Sequence, residues 1–471
     1  MPFSNPILRL FRGIATALDG PGPCFYAGLI IANRIAGLFK PDPPRPVTVT
    51  DPVEIRAQFR RWQKRVLLST IVGYALFYFV RKNLSVAMPA MSRALNLNKE
   101  QLGLFLTLHG LLYGVSKFAN GFVGDRANAR LLMVTGLAGS AALNVFFGFS
   151  STVVAFGVIW MLNGWFQGMG FPPCARLTTH WFSPKELATK FSIWNMSHSI
   201  GAGLIVILCG YLVTLGWRYC FFVPAAIALF GAWQLWRFLP DTPPSVGLPE
   251  VEGTTSASAG LTAAQFRALV LKRVFQNPYV WLASIANFFV YTIRYAVFDW
   301  GPTLLTETKH YQITHSGWML AGFEGAGIIG ALLGGWMTDR FFSGRAMRVG
   351  LVYMTLAGVS LFLFWKWPRQ TEWGSTLLLC STGFFIYGPQ CLLAIAAANL
   401  ATKQAAATAI GLTSIFGYAS TLLSGWGLGR LVDRSGWDAG FAGLMIIAGM
   451  GVLVFAAAWP AKAHNYGEPH C

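Results

Sequence analysis

Two cationic residues stand side by side inside a long apolar stretch of the chain. Arg81 and Lys82 lie near the middle of the run 66–91, which is long enough to span a bilayer. A charge at that depth costs at least a few kcal/mol, so such a residue is functional by default. Tyr74, Tyr78 and Arg81 share one helix face, which predicts a cationic, hydrogen-bonding stripe turned toward protein or water. The alternative is an arginine near a helix end that only reaches the interface.

A second arginine occupies the corresponding place in a duplicated half. The pattern Gly-x-x-x-Asp-Arg occurs at 121–126 and again at 335–340. Arg294 follows Arg81 at nearly the same separation, and each arginine has a tyrosine three positions earlier. Two features at nearly one offset predict an internal repeat with a pseudo-twofold axis. That axis would bring Arg81 and Arg294 together near the midplane, which predicts a site for an anion.

The composition is that of a polytopic membrane protein. Of 471 residues, 54% are hydrophobic and 11% are charged, whereas soluble domains carry about 25% charged residues. The net charge of +18 would suggest nucleic acid in a soluble protein. Here we attribute it to the cytoplasmic bias of Lys and Arg and to cations kept for an anionic substrate, so no nucleic-acid partner is expected. The seven cysteines form no Cys-x-x-Cys pair, so neither a metal site nor a disulfide framework is predicted.

Apolar windows of about 20 residues predict the elements that position these charges. A basic cluster between 56 and 65 precedes the first window and predicts a cytoplasmic N-terminus, and an even number of spans leaves both termini on that side. We predict an all-α polytopic protein with twelve transmembrane helices at 66–91, 101–123, 130–149, 152–176, 186–214, 218–239, 278–303, 314–338, 348–367, 376–401, 405–429 and 437–461.

The longest polar connection divides these helices six and six. Its Gly-, Ser- and Thr-rich part predicts a flexible linker, and the repeat predicts that the two halves form equivalent bundles. We therefore predict an interfacial extension at 1–65, a bundle at 66–239, a cytoplasmic linker at 240–277, a bundle at 278–462 and a tail at 463–471.

Several motifs resemble those of the organophosphate:phosphate antiporters of the major facilitator superfamily. The resemblance covers 56–462. Within the family, the chain is similar to the hexose-phosphate sensor and transporter branch and, next to it, to the glycerol-3-phosphate transporters. It is carried, besides the two Gly-x-x-x-Asp-Arg loops, by Tyr-Phe-Val-Arg-Lys-Asn at 78–83, Gly-Val-Ser-Lys-Phe at 114–118, Trp-Phe-Gln-Gly-Met-Gly-Phe-Pro-Pro-Cys at 165–174, Trp-Asn-Met-Ser-His at 194–198 and Tyr-Gly-Pro-Gln at 387–390.

The resemblance implies a major facilitator fold, no cofactor, no enzymatic activity and a set of substrate residues. The implied phosphate-binding residues are Arg81, Arg294, Lys117 and His198. The implied or candidate substrate-lining residues, with Asn163 and Gln167 added for sugar contacts, are Tyr74, Tyr78, Asn163, Gln167, Trp194, Asn195, Tyr291, Tyr387 and Tyr418.

Each assignment has a simpler alternative. Guanidinium forks match phosphate oxygens bidentately, but Arg81 and Arg294 could also be structural arginines paired with carboxylates. His198 could donate to a phosphate or be a packed neutral histidine, and Lys117 could reach the cytoplasmic surface. For each tyrosine, core packing with a satisfied hydroxyl is the alternative.

The resemblance also implies residues that serve the conformational change. Lys82 and Asp299 match an ion pair between the halves that could break and form, or be permanent. Glu324 matches an intramembrane carboxylate that needs a partner. Loop residues expected to stabilise one closed state, and not to touch substrate, are Asp125, Arg126, Arg130, Asp339 and Arg340.

The expected function is exchange of a hexose 6-phosphate, such as glucose 6-phosphate, for inorganic phosphate by a monomer in a bacterial-type inner membrane. One departure bears on the sugar: helix eleven has no charge over 417–429, where the hexose-phosphate transporters carry an acid and a lysine. This favours the alternative of a membrane sensor of glucose 6-phosphate that signals to a kinase partner. Another organophosphate, such as glycerol 3-phosphate, is the remaining alternative, and a phosphatase is disfavoured because acidic and histidine ligands are not clustered.

Overall fold

In a computed structural model, every regular element of the described residues is helical. The structure describes residues 39–47, 51–124, 127–251, 263–367, 371–402 and 405–461. The predicted tail, most of the predicted N-terminal extension, and the loop residues Asp125 and Arg126 lie outside these ranges.

The first half contains both long and interrupted helices. Its helices are α1 (Pro52–Phe79), α2 (Asn83–Leu95), α3 (Lys99–Gly124), α4 (Ala129–Phe149), α5 (Val153–Gln167), α6 (Phe171–Trp181), α7 (Pro184–Asn195), α8 (Ser197–Leu215) and α9 (Tyr219–Phe238).

The second half follows a short 3₁₀ turn, Pro243–Val246. Its helices are α10 (Ala263–Val270), continued by a π-helical turn Leu271–Phe275, then α11 (Pro278–Thr308), α12 (Ile313–Phe341), α13 (Ala346–Lys366), α14 (Glu372–Ala401), α15 (Ala406–Ala419), a π-helical segment Leu422–Gly427 and α16 (Leu428–Ala457).

Polar caps explain where several of these helices begin. The side chains of Asn128, Thr152 and Thr371 each accept a bond from a backbone N–H three residues on, at 3.1, 3.3 and 3.1 Å. Asn277 caps α11 in a similar manner, and Pro278 follows at the first helical position. These caps satisfy N–H groups that have no partner inside the helix.

Ten helical segments among the described residues are long and apolar enough to cross a membrane. The last of them, Thr408–Ala457, is 50 residues long and covers most of the last two predicted spans. At about 1.5 Å per residue it is too long for one crossing, and Gly436 interrupts it with a left-handed φ of 76°. The protein is therefore an all-α multi-pass membrane protein.

The first predicted span, 66–91, is not among those ten segments. The structure divides it between α1 and α2, and α1 already begins at Pro52, so that it includes the basic cluster. The fourth and fifth predicted spans are also interrupted, at 168–170 and at Met196. Irregular backbone at membrane depth is tolerated where it is buried in protein or lines a cavity, so these breaks are expected to face the protein interior and not the lipid.

The two halves contact each other through symmetric pairs of helices. In the first half α3 contacts α15, α16 and the segment between them; in the second half α12 contacts α8. The α2 helix contacts α11 across the same boundary. A pseudo-twofold axis exchanges the first two of these contacts, as the repeat predicts.

The halves approach most closely at the end of the molecule where α3 begins, which we call the closed end. A Cβ atom added at Gly103 would lie 2.3 Å from the carbonyl oxygen of Gly425, and one added at Gly317 would lie 2.6 Å from that of Val206. Glu100 adds polar contacts, because it accepts a bond from Trp426 Nε1 at 3.0 Å and lies 3.2 Å from Arg430 Nη1. Backbone contact and partly exposed ion pairs together close this end.

A cluster of polar contacts links helices at the opposite end of the first half. The Asp241 carboxylate, which has no exposed side-chain area, lies 2.9 Å from Arg176 Nη1 and accepts a bond from Ala129 N at 2.9 Å. Nearby, Arg130 is paired with Asp42 at 2.9 Å, so this predicted loop residue contacts the N-terminal segment. Asp339 and Arg340 are exposed at the end of α12.

Candidate functional site

The first membrane helix is interrupted at the level of Arg81. Residues 80–82 form a turn between the end of α1 at Phe79 and the start of α2 at Asn83. The backbone N–H groups of both cations in this turn donate to the one carbonyl of Tyr78, at 3.3 and 2.9 Å. The Arg81 side chain thus leaves the backbone at a break and not from a regular helix.

Arg81 is buried and surrounded by aromatic rings. Its guanidinium carbon lies 4.1 Å from the ring centroid of Tyr113 on α3 and 5.4 Å from that of Tyr78. No carboxylate lies within ion-pair distance of Arg81 in the part of the chain that the structure describes. Its charge is therefore available to an anion.

Arg294 has a different environment from its repeat partner. It lies inside the uninterrupted α11, with its guanidinium carbon 4.4 Å from the ring centroid of Tyr387. Its Nη2 atom is 3.7 Å from Oε1 of Glu324 on α12. Glu324 is 1% exposed, and neither of its oxygens accepts a hydrogen bond of normal geometry from the described residues. The Arg294 charge is thus partly balanced by the Glu324 carboxylate, which also lies near the Tyr387 hydroxyl.

An arc of ring contacts connects the two arginines. The Tyr78 ring, beside Arg81, lies 5.8 Å from the ring of His198, which stacks at 6.3 Å and 14° on Tyr387, beside Arg294. We call these five residues the arginine arc. It begins in one half of the molecule and ends in the other.

Lys117 lies on the α3 side of the same region. Its Nζ donates to the Tyr418 hydroxyl at 3.2 Å and stands 4.0 Å from the ring centroid of Phe171. Tyr418 packs edge-on against Tyr113 at 4.8 Å and against Tyr291 at 6.1 Å. Lys117 does not extend to a membrane surface here, and it bonds across the boundary between the halves.

Several buried polar atoms around the arginine arc make no hydrogen bond of normal geometry with the described residues. They are His198 Nε2, Gln390 Oε1, the Tyr387 hydroxyl and both Glu324 oxygens, which lie near one another, and Trp194 Nε1, which lies near Cys174. An unmade bond of this kind costs about 1–3 kcal/mol. Buried polar groups in native proteins are generally satisfied by protein, water or ligand, so this cluster indicates a place for a polar ligand.

Two other predicted lining residues frame the histidine. Trp194 is fully buried, and its ring lies 4.9 Å from that of Tyr74. The backbone carbonyl of Asn195 accepts the bond from His198 Nδ1, which leaves Nε2 directed elsewhere. The break between α7 and α8 at Met196 allows this turn.

Asn163 and Gln167 are turned toward backbone. The Asn163 amide donates to the Val80 carbonyl at 2.9 Å, and the Gln167 amide donates to the Phe77 carbonyl at 3.0 Å. Their N–H groups are engaged at the helix break beside Arg81, whereas the buried Asn163 Oδ1 has no hydrogen-bond partner among the described residues.

Lys82 and Asp299 form a buried ion pair between the halves. The Lys82 Nζ atom lies 2.5 Å from Asp299 Oδ1, and the two residues are 6% and 8% exposed. The rings of Tyr295 and Phe298 lie 4.8 and 5.0 Å from the same Nζ. Lys82 is therefore directed toward α11, where its charge is paired with Asp299.

Sequence reasoning missed three residues of this region. Tyr113 packs on Arg81, Tyr295 packs on Lys82, and Gln390 has an unpartnered buried oxygen. Tyr113 could have been found, because it lies four residues before Lys117 and so shares its helix face. Among the described residues, no three His, Cys, Asp or Glu side chains gather as a metal site would require.

The fold and site together define a class of protein. Two helical halves meet around buried cations, and the helices are interrupted at that level. This is the architecture of a membrane carrier whose substrate binds between two repeats.

Comparison with known proteins agrees with that class. The Major Facilitator Superfamily model matches residues 70–425. A probable hexose phosphate transport protein of Chlamydia muridarum is 36% identical over 441 residues, which cover 90% of this chain and 97% of the relative. The glycerol-3-phosphate transporter of Bacillus subtilis is 36% identical over 438 residues, with the same coverages. The membrane sensor protein UhpC of Escherichia coli is 36% identical over 417 residues, 86% of this chain and 94% of the relative.

Among solved structures, an inward-facing, unoccupied bacterial homolog of the human lysosomal transporter Spinster has a TM-score of 0.69. The match covers 84% of this chain and 95% of that one; at 16% identity it shows the fold alone. The chain belongs to the major facilitator superfamily and, within it, to the organophosphate:phosphate antiporters. It is thus a transport protein and not an enzyme.

Proposed function

We propose that this chain exchanges a sugar phosphate for inorganic phosphate by alternating access. The sugar phosphate is a hexose 6-phosphate, such as glucose 6-phosphate. The observation that carries the proposal is the arginine arc, in which two buried arginines from opposite halves are joined by three rings, and two of these rings, His198 and Tyr387, have a buried polar atom without a hydrogen bond of normal geometry. The relatives named for hexose phosphate and glycerol 3-phosphate support the same substrate class.

The charges around the arc match a phosphate ester. Lys82 is neutralised by Asp299, and Arg294 faces Glu324. Arg81 and Lys117 are then cations without a carboxylate partner among the described residues. A phosphate monoester carries about 1.5 to 2 negative charges at pH 7. A bound dianion therefore offsets the two remaining positive charges.

The mechanism follows from this balance. Without an anion, the uncompensated charges of Arg81 and Lys117 repel each other and the partly balanced Arg294 in a region of low dielectric. A bound phosphate accepts bidentate bonds from both guanidinium groups, and it competes with Glu324 for Arg294. The halves can then rock around the occupied site, whereas the empty carrier reorients slowly. Exchange of one phosphate compound for another is the result.

The unpartnered atoms beyond the two arginines support a substrate larger than phosphate. Trp194 Nε1 is a donor, His198 Nε2 is an acceptor in the neutral ring because Nδ1 donates to the Asn195 carbonyl, and Gln390 Oε1 is an acceptor. Sugar hydroxyls both donate and accept, so they can satisfy all three. Such a site discriminates against a compound that lacks those hydroxyls.

Phosphate exchange in proteoliposomes tests the proposal. Arg81→Lys and Arg294→Lys keep the positive charge but lose the bidentate guanidinium group. Each should lower homologous phosphate exchange by about tenfold to hundredfold, which corresponds to the free energy of one or two charge-assisted hydrogen bonds. Arg237→Lys, at an exposed end of α9, is the matched control and should exchange normally. Near-normal exchange by both site variants would refute the proposal.

A membrane sensor of glucose 6-phosphate is the second candidate. The uncharged stretch 417–429 favours it, as does the similarity to a membrane sensor protein. The π-helical segment in that stretch packs on α3. A sensor would bind glucose 6-phosphate without transporting it and would change the activity of a kinase partner. Binding together with transport of labelled glucose 6-phosphate would favour the antiporter.

We expect the carrier to act as a monomer in a bacterial-type inner membrane, with both termini cytoplasmic. Under this orientation, the closed end faces away from the cytoplasm. Cysteine accessibility at the exposed Val154, near the start of α5 at the closed end, tests the orientation. Labelling of this position by an impermeant reagent in whole spheroplasts is the expected result.

A further inference from the structure

The helix break at 80–82 releases backbone carbonyls in the middle of the membrane. An interruption of this kind removes hydrogen bonds that a regular helix would make within itself. A bare carbonyl at this depth costs several kcal/mol because no water is at hand. The break can persist only if other groups take up these carbonyls.

Side-chain amides from two other helices fill this need. The Phe77 carbonyl accepts from Gln167 at 3.0 Å. The Val80 carbonyl accepts from both Asn144 and Asn163, each at 2.9 Å. We call Asn144, Asn163 and Gln167 the amide clamp.

The residues of the clamp are buried and make further hydrogen bonds to neighbouring side chains. Its three residues are at most 2% exposed. Asn144 Oδ1 accepts from Asn83 at 2.8 Å, on the α2 side of the break, and the Asn83 amide also donates to the Cys220 carbonyl at 2.8 Å. Gln167 further contacts Ser140 Oγ at 3.2 Å. The break is therefore held on both sides by a connected network.

The repeat shows that the break is not a general property of this position. Arg294 corresponds to Arg81, yet α11 runs without interruption from Pro278 to Thr308. Neither proline nor glycine occurs at 80–82 to explain the break locally. The amide network is what distinguishes the first half.

We propose that Asn144, Asn163 and Gln167 are positioning residues. They stabilise the interruption of the first membrane helix at 80–82 and thereby direct Arg81 into the substrate site and Lys82 toward Asp299. The inference rests on the proposed function for the role of Arg81. Without the clamp, residues 80–82 would become helical and make the missing backbone hydrogen bonds. The side chains of Arg81 and Lys82 would then move.

Methionine and leucine replacements test the clamp with little change of volume. Gln167→Met leaves the Phe77 carbonyl without its amide. Asn163→Leu is milder for folding, because the Val80 carbonyl keeps its bond from Asn144. In proteoliposomes each should raise the KM for phosphate about tenfold or more, since a displacement of about 1 Å in a binding group can cost about a hundredfold. The maximal rate per folded carrier should change much less.

Gln234→Met is the matched control. The Gln234 amide bonds Ser69 Oγ at 3.1 Å and so links α9 to α1, away from the break. Its replacement removes the same type of bond from the same half and should leave the KM for phosphate unchanged. A purely structural role of the clamp would lower the amount of active carrier in all three variants and leave each KM at the wild-type value. That pattern would overturn the inference.

A second readout is independent of transport. Spin labels at Val53 and Ala94, exposed on α1 and α2, report the angle across the break by their distance. The distance distribution should shift or broaden in Gln167→Met and stay unchanged in Gln234→Met. If the wild type exchanges no phosphate, the proposed function fails, and the distance still decides the clamp. An unchanged distance in both clamp variants would overturn it.

Discussion

The ion pair between Lys82 and Asp299 should control which conformation the carrier prefers. The two side chains are 7% and 11% exposed, and their charged atoms lie 2.5 Å apart across the boundary between the halves. Removing one partner of a buried pair costs about 3–5 kcal/mol, because the other charge stays buried without compensation. Asp299→Asn should therefore destabilise the conformation in which the pair forms.

The expected size of the effect follows from this cost. At about 1.4 kcal/mol per factor of ten, the equilibrium should move by a factor of roughly one hundred to several thousand toward the conformation in which Lys82 reaches water. A shift of this size changes the predominant state of a carrier whose two conformations are close in free energy. Phosphate exchange should fall, since exchange requires both conformations.

Spin labels can measure the shift directly. Val154 on α5 and Trp373 on α14 are 75% and 84% exposed and lie at the closed end, one in each half. The distance between labels at these positions should increase in Asp299→Asn. The double variant Lys82→Gln with Asp299→Asn leaves no bare charge, so it should lie closer to the wild type than either single variant does. A single variant with a wild-type distance, or a double variant as open as the singles, would refute the reasoning.

Two further predictions concern the ends of the molecule. Glu100→Gln weakens an ion pair with Arg430 that is about one-third exposed. Exposed pairs of this kind contribute about 0.2–1 kcal/mol, so the closed-end label distance should change only slightly and the exchange rate by at most a few-fold. A complete loss of exchange would contradict this. Asp241→Asn leaves Arg176 without its buried partner and should destabilise the fold by about 3–5 kcal/mol. We expect a lower unfolding temperature and an unchanged KM for phosphate in the folded carrier. An unaltered unfolding temperature would argue against the role of this cluster.

The large-scale organisation could be predicted from the sequence because it depends on local signals. Apolar length predicts membrane helices, and the spacing of Arg81 and Arg294 predicts a repeat. The family membership and the helical membrane fold are confirmed by the comparisons. The count of twelve stays a prediction, since ten segments meet the criteria and one of them covers most of two predicted spans.

The helix break could not be predicted from the sequence. Val80, Arg81 and Lys82 carry no local signal for an interruption, and the apolar pattern continues on both sides. The amides that stabilise it come from other helices, which lie far along the chain from the break. The sugar contact of Asn163 stays a prediction, since its amide nitrogen donates to the Val80 carbonyl whereas its Oδ1 has no hydrogen-bond partner among the described residues. A buried amide on a membrane helix can serve a ligand or a backbone carbonyl, and only the tertiary structure distinguishes them.

The central claim is that a sugar phosphate and inorganic phosphate exchange at one site built around Arg81 and Arg294. Counterflow measures this directly: proteoliposomes loaded with unlabelled phosphate are placed in labelled glucose 6-phosphate. We expect rapid accumulation of label that depends on internal phosphate and is abolished in the double variant Arg81→Lys with Arg294→Lys. Accumulation without internal phosphate, or none in the wild type while binding is retained, would contradict the claim.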